Sequence, residues 1–67
     1  MPPRRIATVL RELRAARNMT QEDLVRRAKI TRSYLAGLES GHRRNPSLPV
    51  LKRLARALGV PLTALLE

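Results

Sequence analysis

The apolar residues of this chain recur at helical spacing and nowhere settle into the strict alternation of a half-buried strand. Ile6, Val9, Leu10 and Leu13 fall at i, i+3, i+4 and i+7, one face of a helix. Leu24, Val25 and Ala28 make a second inward face, Leu35 and Leu38 a third, and Leu48, Leu51, Leu54, Ala55 and Leu58 a fourth. Leu62, Leu65 and Leu66 suggest a short fifth. Composition points the same way. Tyr34 is the only aromatic residue and there is no Phe or Trp, so the core must be aliphatic, which favours packed helices over a sandwich.

Local signals divide these faces into elements. Pro2 and Pro3 precede a first helix expected from about Arg4 to Arg17, ending near Asn18. Thr20 is an N-cap, with Asp23 three residues on and Glu22 beside it, close to a capping box. That helix should stop at Ala28 or Lys29. Thr31 caps the third helix, with Ile30 ahead of it as a staple against Leu35, and Gly41 ends it. Residues 42–46 form a basic loop. Ser47 caps the fourth helix, Pro49 is tolerable in its first turn, and Gly59 stops it. The expected fold is all-α: a compact five-helix bundle in one domain over residues 1–67, with the second and third helices, about residues 20–40, at its centre.

Fourteen Lys and Arg face five Asp and Glu, a formal net charge of +9, and Arg outnumbers Lys twelve to two. A guanidinium donates two parallel hydrogen bonds to phosphate or to a guanine edge. The excess calls for a polyanionic partner, nucleic acid before membrane or acidic protein. There is no cysteine, which removes disulfides and thiolate metal sites and is compatible with a reducing cytosol. One histidine, His42, makes a metal site improbable, and Ser33, Ser40 and Ser47 have no plausible base and orienting acid. No glycine-rich phosphate cradle, signal peptide or membrane-spanning run is visible. These features predict a cytoplasmic protein, on the nucleoid when bound to DNA, that is not an enzyme, takes no cofactor and has no membrane partner.

The second and third helices carry the functional signal. A helix-turn-helix crosses two short helices at roughly 90–120° through a tight turn, locked by apolar side chains at fixed offsets. Counted from Gln21, those offsets hold Leu24, Ala28, Ile30, Leu35 and Leu38. Five apolar positions alone fit a plain helical core equally well; the caps, the charge and the order of the motifs favour the DNA-binding unit. Thr20-Gln21-Glu22-Asp23-Leu24, Ile30-Thr31-Arg32-Ser33-Tyr34-Leu35, Leu38-Glu39-Ser40-Gly41, Arg44-Asn45-Pro46-Ser47-Leu48 and Ala57-Leu58-Gly59-Val60 follow one another in order and spacing. Together they resemble the Xre family, which includes the phage Cro and lambdoid repressor DNA-binding domains.

That resemblance implies a sequence-specific transcriptional regulator, a repressor above all, binding double-stranded DNA as a homodimer. The third helix would enter the major groove, with Arg32, Ser33, Ala36 and Gly37 at the base-reading positions. Gly37 stands where the family often carries a longer polar reader. Gln21, Tyr34, Arg43, Arg44 and Asn45 would hold phosphates, Gln21 also bracing Arg32. Arg14 and Glu39 match a structural ion pair between the first helix and the end of the third. Leu62 and Leu66, too exposed for one small core, would form the dimer interface. Two departures stand out: Lys29 fills a turn position where the family often has glycine, and Val25 fills one usually kept small.

Blander readings stand beside these. Arg32 is otherwise a solvated arginine, Ser33 a capping aid, Tyr34 a cover for the core edge, and Arg43 and Arg44 a solvated loop. Small members of the family also serve as antitoxins, so a partner toxin that binds this chain while it represses its own promoter is the alternative function. A nonspecific nucleoid or RNA binder is a further rival.

Overall fold

The computed structural model describes residues 5–66, which form five helices: α1 (Ile6–Ala16), α2 (Gln21–Ala28), α3 (Arg32–Ser40), α4 (Leu48–Leu58) and α5 (Thr63–Leu66). No strand occurs among the described residues. The expected first turn of α1 at Arg4, and Pro2 and Pro3 before it, lie outside the described residues. Arg5 is the extended N-cap residue of α1, and Arg17 closes its other end.

The helix starts follow from hydroxyl chemistry. Thr20 Oγ1 accepts from the Asp23 amide at 3.0 Å, and Asp23 Oδ2 accepts from the Thr20 amide at 2.9 Å, a complete capping box. Thr31 Oγ1 accepts from the Tyr34 amide at 3.0 Å, and Ser47 Oγ from the Val50 amide at 3.4 Å. Each bond satisfies an amide that the helix itself leaves without a partner.

The helix ends follow from left-handed residues. Asn18 (φ 54°), Lys29 (φ 57°), Gly41 (φ 86°) and Gly59 (φ 69°) turn the chain off their helices. After Lys29 the Ile30 amide returns to the Val25 carbonyl at 3.2 Å, and after Gly59 the Val60 amide returns to Ala55 at 3.0 Å. Ile30 and Val60 then fold against the core.

That core is one cluster around Leu10, Leu24, Leu35, Leu38, Leu54 and Leu58, all fully buried. α2 packs chiefly on α4 and α1 on α3, so the motif helices are gripped from both sides. Burying a leucine side chain stabilises by about 1.5–3 kcal/mol, and the six together dominate the fold's stability. Met19 and Ala7 are also buried, though neither sits in the apolar pattern that marks the helices. Leu48 departs from expectation in the other direction. It is 51% exposed because it opens the first turn of α4, ahead of the point where the helix meets the core. Leu65 is buried and anchors α5; Leu62 is half-buried rather than exposed, and Leu66 is 54% exposed.

Candidate nucleic-acid interface

α3 has two unlike sides because Leu35, Leu38 and Glu39 turn inward and Arg32, Ser33, Ala36 and Ser40 turn outward. The first turn of α3 carries no acidic residue that would repel a polyanion. The cap that Ser33 offered as its alternative role is taken by Thr31. The side chains of Ser33 and Arg32 make no hydrogen bond or ion pair to other described residues, so both donors are unspent.

The inner side is fixed by a buried carboxylate. Glu39 is 4% exposed, yet both its oxygens are occupied. Arg14 Nε donates to Oε2 at 2.8 Å and Arg14 Nη2 to Oε1 at 2.9 Å, a bidentate pair between α1 and α3. Gln21 Nε2 donates to Oε1 as well, at 2.9 Å. Burial pushes the Glu39 carboxyl up, but the hydrogen bonds from Arg14 and Gln21 and the positive charges of Arg14 and Arg11 outweigh it and hold the group below its ordinary range. Arg14 Nη1 also donates to the Met19 carbonyl at 3.0 Å, and Arg11 Nη1 to the Glu39 carbonyl at 2.8 Å, one of the carbonyls that the end of α3 leaves unpaired. One knot thus ties α1, the α1–α2 turn, the start of α2 and the end of α3.

The knot corrects one expectation. Gln21 does not brace Arg32; its amide is bonded to Glu39, because the start of α2 lies over the end of α3 and not over its beginning. The Gln21–Glu39 bond spans eighteen residues of sequence, and no local pattern announces it.

The flank of α3 facing the basic loop holds a second feature. The Arg43 guanidinium lies over the Tyr34 ring, 4.7 Å from its centroid, while the ring packs against the edge of the core. The Arg43 amide donates to the Gly37 carbonyl at 2.9 Å. Arg44 and Asn45 are exposed beside it. Sequence reasoning named Tyr34, Gly37 and Arg43 separately but did not foresee that they meet. The glycine at 37 was the only available hint, and it points to a close approach without naming the approaching residue.

The sequence model of the helix-turn-helix family matches residues 10–65, nearly all of the described chain. The chain belongs to this Xre-type helix-turn-helix family. It is 41% identical over 56 residues to the immunity repressor protein of Bacillus phage phi105, covering 84% of this chain and 38% of that protein. It thus spans less than half the length of that relative. Among solved structures, the restriction-modification controller protein C.AhdI from Aeromonas hydrophila superposes with a TM-score of 0.84 at 40% identity, over 90% of this chain and 89% of that one. The N-terminal DNA-binding domain of SinR from Bacillus subtilis gives 0.88 at 26% identity, over 92% and 90% of the two chains. These proteins are regulators rather than enzymes, and this Xre-type chain carries the DNA-binding fold of a repressor-like transcriptional regulator. No helix among the described residues is long and apolar enough to cross a membrane.

Proposed function

We propose that the chain is a sequence-specific repressor, one domain over residues 1–67, that binds duplex DNA as a homodimer with α3 in the major groove. The observation that carries this reading is the two-sidedness of α3: a helix cemented along one side, with Arg32, Ser33 and Ala36 open at the other. Arg32 pairs with the O6 and N7 of a guanine, which discriminates by about 1–3 kcal/mol. The Ser33 hydroxyl meets a neighbouring base edge, and the Ala36 methyl meets a thymine methyl. The second Gln21 amide hydrogen, the Tyr34 hydroxyl, Arg44 and Asn45 meet phosphates and set register without reading sequence.

A partner copy is joined through Leu66 and the open edge of Leu62. An exposed leucine at the end of a short helix favours burial against its own symmetry mate. Two copies then address half-sites about 34–36 Å apart. Competition between a selected duplex and random duplex tests the sequence preference, and Arg32→Ala should erase it at one base pair. Sedimentation tests the dimer; a monomer at high micromolar concentration, with and without selected duplex, would reject it.

A further inference from the structure

Gly37 and Arg43 are fitted to one another. A Cβ placed on Gly37 would stand 3.3 Å from Cγ of Arg43, a tight contact, and 3.4 Å from its Cδ, at the edge of ordinary van der Waals contact. The loop residue is held at three places: its amide by the Gly37 carbonyl, its stem by the bare backbone of Gly37, and its head by the Tyr34 ring. The arginine therefore lies along the flank of α3, in the space that a side chain at position 37 would fill.

We propose that Arg43 is a base-reading residue, supplied by the loop in place of the side chain that position 37 lacks, and that its guanidinium donates to a guanine edge in the major groove. The proposal rests on the duplex-binding reading given above. A guanidinium held over a ring is engaged through its π face, and none of its N–H donors is used by another described residue. A fixed head loses little rotamer freedom on binding, which suits directional contact with O6 and N7. A phosphate contact makes no such demand. Arg43 and Arg44 are both exposed, but Arg44, the next residue, has no comparable hold and is sufficient for that role. The arrangement also fits glycine inside a helix, where it is about 1 kcal/mol less favourable than alanine: a Cβ there would push the arginine stem by a few tenths of an ångström.

The test is selection of bound duplexes from a random pool, followed by affinities for the selected site and its single-base variants, using the full chain and R43A, R43K, G37A and Y34F. R43A and R43K should lose about tenfold discrimination at one G·C position, the order of a lost bidentate pair, and that position should differ from the one lost in R32A. G37A should relax the same position while melting no lower than the parent, and Y34F, which keeps the ring but loses the hydroxyl assigned to a phosphate, should weaken all duplexes alike while retaining that discrimination. A uniform loss across all duplexes in R43A, with the selected sequence unchanged, makes Arg43 a phosphate contact and overturns the proposal while leaving the repressor reading intact. A parent chain that selects no sequence overturns both.

Discussion

On its inner side α3 is held by one carboxylate that engages α1 and α2 together; on its outer side Arg32, Ser33 and Ala36 touch nothing that holds them. The two sides solve different problems. A buried carboxylate is tolerable only when every oxygen is paired, so the inner side has one geometry or fails. On the duplex-binding reading proposed above, the outer side meets a partner whose contacts replace water, and its unspent donors suit that role. Rigid backing and uncommitted contact groups on the same helix are what a recognition surface requires.

Removing the rigid side should have the largest effect. Glu39→Ala leaves Arg14 and Gln21 without their acceptor and should lower unfolding stability by about 3 kcal/mol. That is the low end for a broken buried pair, because Arg14 keeps 20% exposure to water. For a domain of this length, whose total is roughly 3–10 kcal/mol, such a loss is severe. A denaturant midpoint equal to the parent's would show that the knot is ornamental. The same variant should bind every duplex more weakly, since α3 loses its footing.

Acid should attack the inner side next. The Glu39 pKa is lower folded than unfolded, so the unfolded chain binds more protons in the window between the two values. Its stabilising contribution is fully present above the ordinary value of 4.5 and is lost as pH falls through the depressed folded value. Asp23, held low by the Thr20 amide and hydroxyl, acts in the same direction. Stability measured from about pH 6 downward should fall for the parent, and Glu39→Gln should flatten the slope without abolishing it. An identical slope in both would remove Glu39 from the account.

A smaller effect is expected at the turn that sets the angle between α2 and α3. Lys29 adopts φ 57° and ψ 49°, where an L side chain crowds the following carbonyl and glycine does not. Lys29→Gly should raise stability by about 1 kcal/mol, read from thermal or chemical melting. A loss instead would mean that the lysine side chain contributes more than its backbone strain removes. On the outer side Arg44→Ala should leave melting unchanged and reduce the salt dependence of binding by about one ion per subunit. A changed sequence preference would move Arg44 from the phosphates to the bases.

Much of this was legible in the sequence because the signals are local. A hydroxyl three residues before an amide, or a glycine after a periodic run, acts over a single turn, so Thr20, Thr31, Ser47, Gly41 and Gly59 mark the helix ends that the structure has. Periodicity misplaced Leu48 because it records which face a residue occupies, not whether another helix lies opposite. Met19 escaped notice for the converse reason: it lies between helices, where no period applies, yet the turn after Asn18 carries it into the core. The Gln21–Glu39 bond and the Arg43–Tyr34–Gly37 contact depend on how separate segments cross, and composition is silent on that.

Arg14 belongs to neither helix of the motif, yet its guanidinium reaches both Glu39 at the end of α3 and the carbonyl of Met19 in the turn before α2. On the repressor reading proposed above, a genetic screen scoring only loss of repression would therefore recover Arg14 alongside Arg32. The two classes separate only when each mutant protein is also heated.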